Sequence, residues 1–550
     1  MTHSRVKHLR NMILGVSVLA LSGACAGQGQ STVKDHETSQ ATEPQTRVRA
    51  VTLTPDIITD ERGRTVTVER GILKVPENRQ NADSRLIDIY FTKFPALLLS
   101  QNERAPVFLL AGGPGWGLNL SDPLVFDEIE RLRKTREVVY VSQRGYRNVT
   151  GFDERFLVNF EPVPVGSRLS AKDTAQLESR ALQEAYKSWM DRGVDVSGYD
   201  IVNMTDDLND IRRALGAEQI VLRGCSFGSQ WSFAYMKRWP THVDRAFLSG
   251  VEPIDYGYDS PKWRWASMAR IADAANLNVD IAGRLPEGGL MEALKTVIER
   301  LENNPPVLTV YHPGLGKAVD VPIGADDLRE VLHRPRIFRQ PTEQKNLAIW
   351  PKFILEMYEG DYRFLAAQIG QRRTGGGGQY LIESLVDHSL GISATRDVKL
   401  TFESEGRWLG DINLEEHMMV GVTPTGVIDD ALRSNVDIQV PVLLLNGDLD
   451  WSTPIENAQI ADAALPNSHF VTVQGGTHCT ETKRGELGDS RQVTMDNLYA
   501  FVDADFDKMS PLSYFQTLPK NIELDPIEFD SSTDLSLYDQ WLGVAQHRQK

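Results

Sequence analysis

Short apolar runs alternate with segments of helical periodicity along most of the chain. The runs are rich in valine, isoleucine and leucine, and turn-forming residues separate them from the amphipathic segments that follow. This alternation is typical of a mainly parallel β-sheet whose strands are joined by helices. Strands are predicted at residues 65–68, 86–91, 107–110, 138–141, 220–222, 245–249, 440–445 and 470–473.

One helix can be predicted residue by residue. Thr205 can cap its first turn, and Gly216 can end it in the left-handed conformation. Leu208, Ile211 and Leu215 fall on one face of this helix. The helix is therefore expected to bury one apolar stripe against the sheet.

The pattern changes after the strand at 245–249. Helical stretches rich in arginine, leucine and alanine follow, with a hairpin near residues 308–321, and the strand pattern resumes only at residue 440. This predicts an α/β core into which a mostly helical cap is inserted. The expected segments are core at 51–254, cap at 255–435, and core with a C-terminal extension at 436–550.

The first residues have the layout of a secretory signal. Basic residues precede an apolar run at 12–21 that is too short to span a bilayer, and small residues then lead to Cys25. This ending resembles a bacterial lipoprotein box, in which the cysteine becomes the lipidated first residue. Because Ser22 stands where the box has an aliphatic residue, ordinary cleavage near Ala24 and an uncleaved anchor stay open.

The expected location is a bacterial cell envelope. Residues 1–24 are predicted to be a signal peptide, and residues 25–50 lack the apolar side chains needed to offset the entropy of ordering, so they form a flexible tether. The protein is then an exported lipoprotein, or otherwise periplasmic or secreted.

Composition and charge exclude several classes of protein. Hydrophobic residues make up 41% and charged residues 24%, which is ordinary for a globular chain. With 59 basic and 75 acidic residues the net charge is −16, and no basic stripe interrupts it, so nucleic acid is not an expected partner. The three cysteines, Cys25, Cys225 and Cys479, lack the paired spacing of a zinc site, and no metal or organic cofactor is predicted.

A G-x-S-x-G motif supplies a candidate nucleophile. Gly224 and Gly228 flank Ser226 at a junction between an apolar strand and a predicted helix. A sharp turn at such a junction exposes the serine, and only small neighbours fit around it. The alternative is a glycine-rich turn with an incidental serine.

A serine nucleophile needs a base and an orienting carboxylate. Candidates for both occur downstream. Asp450 follows the strand predicted at 440–445, and His478 follows the strand predicted at 470–473. Asp448 is the rival acid. Phe227 N–H, next to the nucleophile, is one expected oxyanion donor, and the glycine-rich loop at 112–117 is expected to supply the second.

Together these motifs resemble the prolyl aminopeptidase and tripeptidyl aminopeptidase family of α/β-hydrolases. The resemblance covers roughly residues 69–254 and 436–502. It rests on Gly112-Gly113-Pro114-Gly115, Gln143-Arg144-Gly145, Gly224-x-Ser226-x-Gly228, Gly447-x-x-Asp450-x-x-Thr453-Pro454 and the late Gly476-x-His478. It implies an α/β-hydrolase fold with a triad of Ser226, Asp450 and His478, and oxyanion donors at Gly113 and Phe227.

The chain departs from the family pattern at two places. Ala111 stands where the family has histidine, and Ser142 where it has aspartate, which predicts altered support of the loops rather than lost chemistry. Arg144 is expected to brace these loops through a structural ion pair. Family members hold the substrate's α-amine with cap carboxylates, and the resemblance implies Glu405, or else Glu403, for this role, although a solvated acidic turn is the plainer interpretation.

The sequence thus predicts a serine hydrolase that acts as an exopeptidase on the free N-terminus of short peptides. An esterase of the same fold and a non-catalytic binding lipoprotein are the alternatives. Cys225 and Cys479 adjoin the nucleophile and the base, so the fold must bring them near each other, yet their side chains are expected to diverge and stay free thiols. Residue preference and oligomeric state are not indicated.

Overall fold

The computed structural model describes residues 51–98, 104–146, 157–333, 338, 343–375, 377–435, 437–479 and 495–547. The predicted signal peptide, the tether and Cys25 lie outside these residues, so they stay predictions. Within the described part of the chain, no helix combines the length and the apolar character needed to cross a membrane.

The described residues form fourteen strands, of which eight lie where the apolar runs predict them, two form the predicted hairpin and four were not predicted. They are β1 (Thr52–Thr59), β2 (Thr65–Pro76), β3 (Leu86–Phe94), β4 (Val107–Leu110), β5 (Val138–Val141), β6 (Leu157–Phe160), β7 (Ile220–Cys225), β8 (Val243–Ser249), β9 (Val307–His312), β10 (Lys317–Pro322), β11 (Gly377–Tyr380), β12 (Val442–Gly447), β13 (Ser468–Gln474) and β14 (Asn521–Glu523).

Helices connect these strands and fill the long segment between β8 and β12. They are α1 (Pro123–Leu132), α2 (Ala171–Asp191), α3 (Ile201–Ala214), α4 (Phe227–Arg238), α5 (Pro261–Asn276), α6 (Val279–Ala282), α7 (Gly289–Asn303), α8 (Ala325–Leu332), α9 (Glu343–Tyr358), α10 (Arg363–Gly375), α11 (Leu381–Leu390), α12 (Ala394–Thr401), α13 (Gly406–Leu409), α14 (Leu414–Met419), α15 (Asp430–Arg433), α16 (Ile455–Ala464), α17 (Pro511–Phe515) and α18 (Leu537–His547).

One large mixed sheet carries the fold. Its order is β1-β2-β3-β5-β4-β7-β8-β12-β13-β14. The first three strands are antiparallel to their neighbours, and the strands from β5 to β14 run parallel. Strands β4 and β12 are buried along their whole length, as expected for parallel strands covered on both faces.

The parallel strands bring their carboxyl ends to one edge of the sheet. In open α/β sheets this edge is where loops form binding and catalytic sites. The turns that follow β4, β7, β8, β12 and β13 all lie there. Four of these turns, those after β4, β7, β12 and β13, contain the predicted triad and oxyanion residues.

The segment between β8 and β12 is an insertion, because the two strands are direct neighbours in the sheet. It is mostly helical and contains the predicted hairpin, formed by β9 and β10. Most of its helices share an apolar core of their own, whereas α11 packs into the core on one face of the sheet. Trp451, just after β12, joins the core of the insertion by packing edge-on against Trp350 with ring centroids 5.7 Å apart.

The start of helix α3 corrects one expectation. The helix begins at Ile201, and Asp200 caps it by accepting a hydrogen bond from the Asn203 N–H at 2.6 Å. Thr205 lies inside the helix, where its hydroxyl donates to the carbonyl of Ile201. The prediction that Thr205 caps the helix was wrong because an earlier aspartate satisfies the first-turn N–H groups.

Candidate active site

Ser226 lies in the turn between β7 and α4. Its backbone has φ 59° and ψ −132°, and a positive φ is uncommon for a residue with a side chain. Gly224 and Gly228 permit the turn, because a Cβ at position 224 would lie 2.2 Å from the Gly228 carbonyl oxygen, and one at 228 would lie 2.2 Å from that of Leu110. The motif therefore forms the strand–turn–helix junction that the sequence predicts.

Hydrogen bonds to the neighbouring strand fix this turn. The Ser226 N–H donates to the carbonyl oxygens of Ser249 at 3.0 Å and Gly250 at 3.1 Å. The Ser229 hydroxyl donates to the Ser226 carbonyl at 2.7 Å and accepts from the Glu252 N–H at 2.9 Å. The nucleophile turn and the loop after β8 are thus one connected unit.

His478 is paired with Asp450. The imidazole Nδ1 lies 2.9 Å from Asp450 Oδ2 and 3.1 Å from Oδ1, and the Asp450 side chain is fully buried. A buried carboxylate on Nδ1 favours the tautomer in which Nε2 carries the lone pair that accepts a proton. Gly250 connects this pair to the nucleophile, since its carbonyl accepts from Ser226 N–H and a Cβ at 250 would lie 3.0 Å from His478 Cε1.

Thr453 holds the acid in place. Its N–H donates to Asp450 Oδ1 and its hydroxyl donates to Oδ2, both at 2.8 Å, and the hydroxyl also lies 3.1 Å from His478 Nδ1. Asn446 fastens the same turn by donating to the Thr453 carbonyl at 2.9 Å, while its Oδ1 accepts from Val251 N–H at 2.7 Å. The sequence analysis named Thr453 only as part of the family motif and did not find Asn446.

Asp448 has a different environment. Its Oδ1 accepts a hydrogen bond from the Gly475 N–H at 2.8 Å, and burial raises the pKa of its carboxyl above the ordinary value. Asp448 therefore supports the loop that leads to His478. Of the two candidate acids, the structure places Asp450 on the imidazole.

The glycine-rich loop after β4 lies beside the nucleophile. A Cβ at Gly112 would be 3.0 Å from the Ser226 Cβ and 3.4 Å from its Oγ. Gln143 fixes the loop by donating to the Gly112 carbonyl at 2.9 Å and accepting from Gly115 N–H at 2.7 Å.

The two expected oxyanion donors flank this contact. Gly113 follows Gly112 in the loop, and Phe227 follows Ser226 at the start of α4. Among the hydrogen bonds of the described residues, neither the Gly113 N–H nor the Phe227 N–H has an acceptor. The expected role of these two N–H groups as oxyanion donors stays a prediction.

Arg144 is a structural residue. Its guanidinium donates to both oxygens of Asp207 at 2.8 and 2.7 Å and to the carbonyl of Gly198 at 2.7 Å, and its side chain is fully buried. The arginine next to Gln143 thus makes the structural ion pair that the sequence analysis expected.

Cys225 and Cys479 form a disulfide, so the prediction of free thiols was wrong. Their Cα atoms are 6.1 Å apart, within the range that a disulfide spans. That prediction assumed diverging side chains, but positive φ angles at Ser226 and at Cys479, 59° and 52°, redirect the backbone on both sides. With His478 these sulfurs bring potential metal ligands within 4.8 Å of one another, but the disulfide removes both thiolates.

A second group of residues near His478 is acidic. Glu252 follows β8, and its carboxylate has no hydrogen bond or ion pair among the described residues. Burial and the neighbouring Asp259 raise the pKa of Glu252 to about 8, while His478 favours its charged form. The nearby Arg264 is committed to an ion pair with Asp259.

Helix α11 carries further carboxylates over this region. A Cβ at Gly115 would lie 3.3 Å from the Glu383 Cβ, so the helix begins against the glycine-rich loop. Glu383 and Asp387 are one turn apart, and they are the partly buried residues of an otherwise buried helix. Burial, together with Glu383 and Glu252, raises the pKa of Asp387 well above its ordinary value. We call Glu252, Glu383 and Asp387 the carboxylate cluster.

Sequence reasoning did not find this cluster, although one signal was present. Glu252 stands just after a parallel strand, as Asp450 does, and that position favours a functional side chain. Glu383 and Asp387 had no such signal. Only the return of α11 to the glycine-rich loop brings them close.

The two acids predicted to bind an amine have other partners. Glu403 accepts hydrogen bonds from the Ser260 hydroxyl at 2.6 Å and from Lys262 N–H at 3.0 Å, which stabilises the first turn of α5. Glu405 accepts from the Ser404 hydroxyl at 3.1 Å. These hydrogen bonds stay within the inserted segment, and a substrate role for either residue stays a prediction.

Two protein-family models match segments of the chain that contain residues of this site. The family model described as alpha/beta hydrolase fold matches residues 170–276, which include the nucleophile turn. The model described as TAP-like protein, of the tripeptidyl aminopeptidase type, matches residues 417–490, which include Asp450 and His478. The chain has the α/β-hydrolase fold. The resemblance that the motifs indicated is thereby confirmed at the level of this fold and these family models.

Two solved structures illustrate how distant the known structural neighbours of this chain are. A proline iminopeptidase from Mycobacterium smegmatis is 15% identical, with a TM-score of 0.34 over 78% of this chain and 98% of that chain. A thermophilic esterase from Thermogutta terrifontis is 14% identical, with a TM-score of 0.32 over 78% and 98%. A comparison with curated proteins gives no match.

Proposed function

We propose that this α/β-hydrolase is a serine exopeptidase that releases residues from the free N-terminus of short peptides. Ser226 Oγ attacks the scissile carbonyl, and His478 Nε2 takes the hydroxyl proton and returns it to the leaving amine. Asp450 holds the imidazole through Nδ1 and stabilises its charged form. Water, activated by the same histidine, then hydrolyses the acyl-enzyme.

The oxyanion of each tetrahedral intermediate is stabilised by backbone dipoles. Gly113 and Phe227 directly follow Gly112 and Ser226, which are in close contact, and their N–H groups have no acceptor within the described chain. Donors that are fixed before the reaction need no reorganisation when charge develops on the substrate oxygen.

The observation that favours an exopeptidase is the carboxylate of Glu252, which interacts with His478 and has no hydrogen bond or ion pair among the described residues. Ionisation of this partly buried group is costly in the free protein, and a cation placed next to it would offset that cost. The protonated α-amine of a peptide is such a cation. Asp387 faces the same region from α11, and because its pKa is also raised, its ionisation would be favoured by the same cation.

Product analysis separates this function from its alternative, an esterase of the same fold. The purified protein is incubated with a set of short peptides, each prepared with a free and with an acetylated N-terminus, and the products are identified by mass spectrometry. We expect residues to be released from the free N-terminus and the acetylated peptides to stay intact. Cleavage of simple acyl esters with no peptide cleavage would instead establish an esterase.

The location belongs to the same proposal. An export signal that ends at Cys25 would attach the enzyme to a bacterial envelope membrane through a lipid on that cysteine. Cys25→Ser should then move the protein from the membrane fraction to the soluble fraction with unchanged specific activity. A wild-type protein found only in the soluble fraction would favour ordinary secretion.

A further inference from the structure

The disulfide joins two distant parts of the catalytic edge. Cys225 ends β7, Cys479 follows the loop after β13, and β8 and β12 lie between these strands. Neighbouring strands are about 4.8 Å apart. A Cα–Cα distance of 6.1 Å therefore requires the loop after β13 to fold back across the ends of β12 and β8.

Close contacts along this loop show the path. A Cβ at Gly447, which ends β12, would lie 2.2 Å from the Gly476 carbonyl oxygen. A Cβ at Gly250, just after β8, would lie 3.0 Å from both Cys479 Sγ and His478 Cε1. The loop therefore contacts the backbone at the ends of β12 and β8, and Cys479 attaches it covalently to Cys225 at the end of β7.

The backbone at both ends of this link is unusual. Among the described residues, Ser226 and Cys479 are the non-glycine residues with positive φ. Such conformations persist only where the surrounding structure fixes them. One of these residues is the proposed nucleophile, next to Cys225, and the other is a disulfide cysteine next to the proposed base.

We propose that the Cys225–Cys479 disulfide positions Ser226 and His478 for catalysis and that its reduction switches the hydrolase off. This rests on the proposed function. A small dithiol supplies two electrons and two protons, is itself oxidised to a disulfide, and leaves two cysteine thiols. Cys225 and Cys479 are partly exposed, so such a reagent can reach the bond.

The switch fits the proposed export of the protein. Thiols are kept reduced in the cytosol, whereas disulfides form and persist in the envelope. The enzyme is then inactive where it is made and becomes active where its peptide substrates are to be cleaved.

Reversible reduction of the wild-type enzyme tests the inference. Dithiothreitol should lower kcat and the rate of fluorophosphonate labelling of Ser226 by about 10- to 100-fold, because small displacements of catalytic groups have effects of that size. KM should stay within about twofold, and the near-ultraviolet circular dichroism should be retained. Reoxidation with oxidised glutathione should restore both rates.

Variants isolate the responsible bond. Cys225→Ala with Cys479→Ala should show the low rates of the reduced enzyme and no response to dithiothreitol. Cys25→Ser should respond as the wild type does. Full labelling of the reduced enzyme would overturn the inference, and so would loss of activity that coincides with loss of the folded signal. An oxidised enzyme that never labels would instead contradict the proposed function.

Discussion

The nucleophile turn and the carboxylate cluster lie at the same edge of the sheet but are built in different ways. The turn is formed by five consecutive residues whose conformation follows from two glycines and one strand end. The cluster needs a residue after β8 and two residues from α11, brought together by the inserted segment. The conformation of the nucleophile turn is therefore encoded locally in the sequence, whereas the proposed selectivity depends on long-range packing.

Replacement of the nucleophile should have the largest effect. Ser226→Ala removes the attacking oxygen, so kcat should fall by about 10⁴-fold or more. The remaining rate would come from substrate binding and the oxyanion donors alone. Steady-state kinetics with a thermal unfolding curve as control would measure this. A variant that still forms a covalent fluorophosphonate adduct would show that another residue is the nucleophile.

The two candidate acids should differ strongly. Asp450→Asn favours the wrong imidazole tautomer and should cost about 10⁴-fold in kcat. Asp448→Asn keeps an oxygen that can accept from Gly475 N–H, so its kcat should change by about threefold at most. The pair of kcat values is the measurement, and the opposite order would transfer the acid role to Asp448.

The triad candidates could be predicted from the sequence because each lies in a short motif directly after an apolar run. Apolar runs marked the strands, and the motifs at Ser226, Asp450 and His478 each follow a strand that lies in the sheet. Parallel strands then bring such residues to one edge without further information. The positions of the triad candidates therefore needed only the order of strands and turns.

The disulfide, the partners of Glu403 and the carboxylate cluster could not be predicted, because they depend on features that no short motif encodes. The disulfide needs positive φ angles at Ser226 and Cys479 and a loop that crosses two strand ends. Glu403 matched a family segment, but its carboxylate stabilises the first turn of α5. Glu252 and Asp387 are far apart in sequence and meet only because α11 returns to the catalytic edge.

Thr453 tests how far the local support of the acid matters. Thr453→Val removes the hydroxyl that donates to Asp450 Oδ2 and leaves that buried oxygen with one partner fewer. We expect kcat/KM to fall by about tenfold. Thr453→Ser keeps the hydroxyl and is the matched control. Equal activities of the valine and serine variants would exclude a role for the hydroxyl.

The carboxylate cluster should have a smaller effect, visible in stability. Because folding raises the pKa of Glu252 from about 4.5 to about 8, the folded state holds more protons than the unfolded state between these pH values. The free energy of unfolding should therefore fall as pH rises through this window, and Glu252→Gln should reduce the slope by up to about 1.4 kcal/mol per pH unit.

Urea unfolding at several pH values between 5 and 8 would measure this slope. Glu523→Gln, at an exposed position on β14, is the control and should leave the slope unchanged. A Glu252→Gln variant with the wild-type slope would show that Glu252 is not held in its protonated form.

The most direct test compares one chromogenic aminoacyl or tripeptidyl anilide in its free-amine and N-acetylated forms, using wild type, Glu252→Gln, Glu403→Gln and Glu405→Gln. The ratio of kcat/KM values should favour the free amine by at least about tenfold in the wild type, because a charge-assisted hydrogen bond is lost on acetylation. Glu252→Gln should abolish that preference while Ser226 still labels, and the other two variants should keep it. A preference that survives Glu252→Gln, or a wild type that cleaves both forms equally, would contradict recognition of the substrate amine by Glu252.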